Sequence, residues 1–167
     1  MSIMERSQQE LRSHRCCFTG HRPQYLKRSL EEIQVDLEKA IREAVSEGYT
    51  TFITGMSQGA DIIAGEIVCR LKADDPRLKL IAAVPFPGFG DRWGPHWKNR
   101  FRALLEKADF VKYVASGFSP DVFDIRNRWM VDKSAKVIAV FSGKRGGTLN
   151  TIRYARERKV PVECLAG

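Results

Sequence analysis

The chain has 167 residues, 43% hydrophobic and 29% charged, with a formal net charge of +8. That is the length of one domain, able to bury about two thirds of its extended surface without a disulfide or metal staple, and the composition excludes wholesale disorder, collagen and coiled coil. The basic excess sits at the two ends: residues 1–27 carry a net +3, residues 28–125 a net −2 and residues 126–167 a net +7, an asymmetry that suits an anionic partner rather than a merely solvated basic surface.

Residues 1–13 read as a flexible polar tail ahead of a single domain over 14–167. Met1 to Arg15 lacks the apolar stretch of a signal peptide, and no apolar run approaches the roughly 20 residues of a membrane helix, so a cytoplasmic protein with no membrane partner is expected. Arg15 to Thr19 forms a first strand ending at Gly20. Ser29, with Glu32 three residues on, makes a capping box, and Leu30, Ile33, Leu37, Ile41 and Ala44 follow at helical spacing until Gly48. Thr50 to Thr54 is a buried strand closed by Gly55. Ile62, Ile63, Ile67, Val68 and Leu71 define a second helix. Leu78 to Val84 is the third strand, and Pro85 to Pro95 a loop. Trp97, Phe101, Leu104, Leu105 and Ala108 space a third helix, and Phe110 to Val114 a fourth strand. Ser119-Pro120-Asp121 opens a helix that runs to about Ser134. Lys136 to Phe141 is the fifth strand, Gly146 to Lys159 the last helix and Val160 to Cys164 a final strand.

Strands alternating with helices, and strands apolar on both faces, predict an α/β fold: a single-domain, Rossmann-like, open doubly wound sheet, mainly parallel and flanked by helices. Cys16, Cys17 and Cys164 fall in apolar runs and read as buried reduced thiols. No Cys/His spacing resembles a metal site, and neither a metal nor a cofactor is expected.

Ligands of open parallel sheets bind beyond the carboxyl ends of the strands, where this sequence places its glycines and polar residues. The first strand ends in Gly20-His21-Arg22, the second in Gly55-Met56-Ser57-Gln58-Gly59-Ala60-Asp61, the fifth in Ser142-Gly143-Lys144-Arg145-Gly146-Gly147-Thr148. Glycine lets backbone N–H groups approach a phosphate, and a helix start adds a favourable dipole. Lys144 and Arg22 add cations, Ser57 and Thr148 hydroxyls. Neither loop is a P-loop or a G-x-G-x-x-G. Asp61, in the first turn of its helix, reads either as a partner of the helix dipole or as an acceptor for a ribose hydroxyl, with Glu66 supporting the same region. Arg126 and Asn127 fall where the fourth helix nears the sheet edge. Asp132 reads as an i,i+4 partner of Arg128 or as a second supporting acid. Trp93, in the long loop, is a candidate cover for a base.

Thr19-Gly20-His21-Arg22-Pro23, Gly55 to Asp61 with Glu66, Arg126 to Asp132 and Gly146-Gly147-Thr148, in that order, resemble the YpsA/YspA-like family of the SLOG superfamily, which joins DprA and the LOG (lysine-decarboxylase-like) proteins. The resemblance spans roughly residues 15–165 and implies a Rossmann-like fold with a nucleotide or nucleotide-derived ligand, in a bacterial or phage protein. LOG enzymes use a P-G-G-x-G-T-x-x-E loop. Here Thr151 stands where the glutamate would be, the LOG arginine falls at Arg126, and the lysine after it becomes Asn127.

Three functions follow. The first is a sensor or regulatory module binding a nucleotide or phosphorylated small molecule. The second is a nucleotide N-glycosidase, weakened by Thr151. The third is binding of single-stranded nucleic acid, as in DprA-like relatives, ranked lower because no basic stretch is interleaved with aromatics. A homo-oligomer is admissible.

Overall fold

A computed structural model describes residues Met1–Gly167. In chain order it contains helix α1 (Ile3–Ser13), strand β1 (Arg15–Gly20), a single 3-10 turn (Pro23–Tyr25), α2 (Leu30–Ser46), β2 (Thr51–Thr54), α3 (Ala60–Lys72), β3 (Lys79–Val84), α4 (Pro95–Lys107), β4 (Phe110–Tyr113), α5 (Val122–Asp132), β5 (Lys136–Phe141), α6 (Gly147–Glu157) and β6 (Val162–Ala166). No helix is long and apolar enough to cross a membrane.

The capping box at α2 forms as its sequence dictates. The Ser29 hydroxyl accepts from the Glu32 N–H at 3.2 Å, and the Glu32 carboxylate reaches back to the Ser29 N–H at 3.3 Å. The six strands form one all-parallel sheet in the order β4-β3-β2-β1-β5-β6. The chain winds outward from β1 to β4, then returns to the other side of β1 through β5 and β6. The order therefore reverses between β1 and β5, and the crevice of such a sheet opens beyond the carboxyl ends of those two strands.

Helices α2, α3 and α4 cover one face over a large apolar core that includes Phe18, Phe52, Ile41, Ile62 and Leu104. Helices α5 and α6 cover the other face over a smaller one centred on Cys17, Ile53, Met130 and Val137. Phe18 and Phe52 stack at 5.8 Å across β1 and β2, each burial contributing about 1.5–3 kcal/mol. Burial pushes the Cys17 thiol up to about 12, as an inert core cysteine requires.

Several elements depart from expectation. Within residues 1–13, expected to be a flexible polar tail, Ile3–Ser13 form helix α1, set by a capping box between Ser2 and Glu5, and the helix buries none of its side chains. Helix α5 starts at Val122, because the Ser119 hydroxyl bonds the Asp121 carboxylate at 2.7 Å rather than a helix N–H. β6 runs two residues later than expected: Pro161 has no N–H to pair, and its carbonyl instead accepts from Val137 at 2.9 Å. As an edge strand β6 leaves Cys164 exposed rather than buried. β4, the opposite edge, likewise exposes Phe110 and Tyr113.

The fit of α3 against the sheet rests on Gly20. A Cβ there would lie 2.6 Å from the Ala60 Cβ and 3.3 Å from that of Val140, so the first turn of α3 packs directly on the end of β1. Gly20→Ala is expected to lower stability by about 1–3 kcal/mol, as overpacking does. Urea denaturation should show an earlier midpoint with an unchanged slope, and an unmoved midpoint would contradict this packing.

Candidate functional site

At the point where strand order reverses lies a cleft of about 390 Å³, within the range typical of small-ligand sites. Its walls come from the ends of β1 and β5, the turn before α3, one face of α5 and the start of α6. Of the residues singled out from sequence, it brings together Gly20, His21, Arg22, Ser57, Asp61, Arg126, Asn127, Lys144, Gly146, Gly147 and Thr148.

Arg126 organises the floor. It projects from α5, on one face of the sheet, to the loops at the sheet's edge and is 4% exposed. Its Nη1 donates to the carbonyl of Gly55 and, at 3.5 Å, to that of Ala83. Nη2 donates to the Ser57 hydroxyl at 3.4 Å, and Nε to the Asn127 side-chain oxygen at 2.8 Å. Gly55 does not line the cleft but makes this possible, since a Cβ there would fall 2.9 Å from the guanidinium carbon and from Asp61 Oδ2. Burial lowers the Arg126 pKa, and the neighbouring Asp61 carboxylate opposes that shift.

Asp61 is 5% exposed. Its Oδ2 accepts from the Ser57 N–H at 3.3 Å, while Oδ1 is buried without a partner. Burial pushes its carboxyl up to about 6, against the opposing pull of Arg126 and of the Ser57 N–H. His21 is 6% exposed and stacks on Phe141 at 5.4 Å. Its Nε2 is also buried and unpartnered, and burial, then the charge of Lys144, lowers its pKa.

The opposite wall is the start of α6. Gly146 caps it with no side-chain hydrogen bond, the first N–H groups of a helix have no partner within it, and Gly146, Gly147 and Thr148 line the cleft at this positive dipole end. Arg22, Lys144 and Arg145 line the same opening, and none of them takes part in any ion pair of the chain. Asp61 is the only carboxylate in the lining.

Other expected residues lie elsewhere. Gly59, with φ +93° and Pro23 packed on it, shapes the turn before α3. Ser142 bonds the Tyr25 carbonyl at 2.9 Å, and Gly143 sits behind Lys144 in the same loop. Glu66 faces away and is paired with Arg100. Asp132 is not a partner of Arg128, which pairs with Asp124. It accepts instead from the Tyr154 hydroxyl at 2.7 Å and lies 3.7 Å from Arg158, beside a separate hollow under α1. Trp93 covers no base, because it packs edge-on against Phe89 and Phe101 at 5.0 and 5.5 Å. Thr151 donates to the Gly147 carbonyl at 2.7 Å and supplies no acid. Tyr25, Phe123 and Arg145 line the cleft without having been singled out. The Lys144 ammonium lies 3.6 Å from the Tyr25 ring centre, an arrangement whose only sequence signal was the turn-forming Pro23.

The sequence profile of the YspA SLOG family matches residues 16–161. The chain belongs to the YspA SLOG family. Among similar proteins, the uncharacterised SPbeta prophage-derived protein YoqJ of Bacillus subtilis (strain 168) is 35% identical over 118 residues, 64% of this chain and 69% of that protein. A UPF0398 protein of Bacillus pumilus (strain SAFR-032) is 28% identical over 138 residues, 78% of this chain and 74% of its own. The fold is shared with DNA processing protein A (DprA) of Streptococcus pneumoniae (TM-score 0.67, 21% identity, 94% of this chain covered). It is shared too with DprA of Helicobacter pylori, a structure described for its single-stranded DNA binding mode (TM-score 0.65, 17% identity, 96% of this chain and 68% of that one). The chain spans about half, 52%, of the S. pneumoniae protein.

The buried carboxyl generates a measurable expectation. In the unfolded chain Asp61 titrates at about 4 and in the folded protein at about 6. Between those values the folded state holds the extra proton, so this group's contribution lowers stability as pH rises through the window. Carbon-detected NMR of the Asp61 carboxyl should give a midpoint near 6, and one near 4 would contradict the burial described.

Proposed function

We propose that this family member binds a nucleotide or nucleotide-derived ligand in the cleft at the strand-order reversal and acts as a binding or sensing module. The observation that carries this reading is a helix start whose first N–H groups have no intrahelical partner, in the lining of one cleft that also holds three cations without carboxylate partners. Anions are favoured at such helix starts, and Lys144, Arg145 and Arg22 neutralise a phosphate there. The rims add the aromatic rings of Tyr25 and Phe123, which suit the flat face of a base. The ligand's phosphate lies on Gly146, Gly147 and Thr148, and Arg126 with Asn127 flanks the sugar.

A second reading is single-stranded nucleic acid in the same cleft. It is supported by the unpaired cations at an open rim and by the fold shared with the H. pylori protein. Three neutralised phosphates would give a salt slope of about −2 on a log–log plot.

Calorimetry with a panel of nucleoside monophosphates, and fluorescence titration with a short single strand, test the two readings side by side. Gly147→Asp places a carboxylate where the phosphate rests. The added Cβ meets nothing nearer than Asn127 Nδ2 at 3.7 Å, so the variant is expected to fold. It should weaken binding at least about tenfold, since the new carboxylate and the phosphate are both negative and repel at close range. Unchanged affinity would overturn the placement.

A further inference from the structure

The basic excess lies at the two ends of the chain, and the fold brings those ends together. Arg12 and Arg15 come from α1 and the start of β1, and Lys133, Arg158 and Lys159 from the ends of α5 and α6. All five line one hollow of about 560 Å³ beneath α1. We infer that this hollow is a second anion site, which holds a linear chain of phosphates through their charge and without contact to bases. The inference does not rest on the nucleotide reading. The cleft lies at the carboxyl end of β1 and the hollow at its amino end, about 17 Å away at roughly 3.3 Å per strand residue.

Most of the positive charge at this wall is uncommitted. Arg158 lies 3.7 Å from Asp132, whereas Arg12, Arg15, Lys133 and Lys159 take part in no ion pair. Two carboxylates, Asp132 and Glu157, share the lining. Helices α1, α5 and α6 also end here, each carbonyl end equivalent to about half a negative charge. Cations at helix ends answer part of that charge, and the balance of the wall stays positive. Lys159 shows that the side chain matters and not the turn alone. The Val160 N–H bonds the Ala155 carbonyl at 2.8 Å and the Lys159 N–H bonds that of Arg156 at 3.0 Å. This pair of bonds closes a helix on a left-handed residue, most often glycine. A lysine stands there at φ +58°, a conformation that L side chains resist, and it places an exposed ammonium on the wall. Arginine forks and lysine ammonium groups both bind phosphate oxygens. The only apolar side chains in the lining are Val131 and Val160, and no aromatic ring is among them, so nothing in the hollow stacks a base.

Fluorescence anisotropy of the full chain tests this with a labelled thymidine strand of about 12 nucleotides and an abasic strand of equal length, and calorimetry tests inorganic polyphosphate. The two strands are expected to bind within about twofold of each other, and four unpaired cations give a slope of about −3 on a log–log salt plot. Lys159→Gly removes one cation and suits the left-handed turn, so it should melt within a few degrees of the wild type. It should bind the strand about threefold or more weakly, with a salt slope shallower by about 0.7. Arg12→Ala, on the α1 side of the hollow, should act alike. Binding of polyphosphate without binding of either strand, weakened by the same two substitutions, keeps the site and assigns it to polyphosphate. An abasic strand bound about tenfold or more weakly reveals base contact and overturns the inference. Binding that neither Lys159→Gly nor Arg12→Ala weakens overturns it too, and loss in Gly147→Asp alone then puts the strand in the cleft. Absence of binding to both strands and to polyphosphate at low salt overturns it while leaving the nucleotide reading standing.

Discussion

The guanidinium of Arg126 is the constraint on which the carboxyl-terminal edge of the sheet depends. It starts from α5, the layer opposite α3, and ends among the carbonyls at the tips of β2 and β3. Taking such a charge out of water costs several kcal/mol, recovered only where its N–H groups are satisfied and a counter-charge stands near. Here two backbone carbonyls, a serine hydroxyl and an asparagine oxygen provide the first, and Asp61 the second. The turn after β2 must therefore keep the path that Gly55 alone permits, and the layers on the two faces are tied together at the edge where the cleft opens.

The cleft's chemistry follows from that arrangement. Arg126 and Asp61 form a floor whose positive charge is largely absorbed within the protein, so the attraction for an external anion comes from the opposite wall, the start of α6 with Lys144, Arg145 and Arg22. The fold alone does not select among the uses such an edge can have. The first turn of α6 carries no acid, and Thr151 turns its hydroxyl back to its own helix.

Much of this was legible in the sequence because it rests on local rules. The Ser29/Glu32 capping box, the apolar strand runs and the glycine turns before α3 and α6 report their structure directly. Convergence of the three glycine loops followed from reading the sheet as parallel. The failures have equally specific causes. Glu66 was linked to Asp61 by proximity in sequence, but five residues at about 100° each turn it some 140° around the helix, towards Arg100. Asp132 lies nearly two turns beyond Arg126, at the far end of α5. An apolar run does not announce whether its strand is central or at an edge, so the exposure of Cys164 was invisible. Tyr25 and Phe123 reach the cleft through a 3-10 turn and a helix start, neither of which has a period to read. The unpartnered state of Asp61 Oδ1 is a property of packing that no spacing encodes.

The most direct test of the central claim is a crystal structure of the protein grown with 5′-AMP. The account predicts phosphate density over the N–H groups of Gly147 and Thr148, with the sugar beside Arg126 and Asn127. Phosphate density at any other surface, including the basic hollow under α1, with this cleft filled only by solvent, would contradict it.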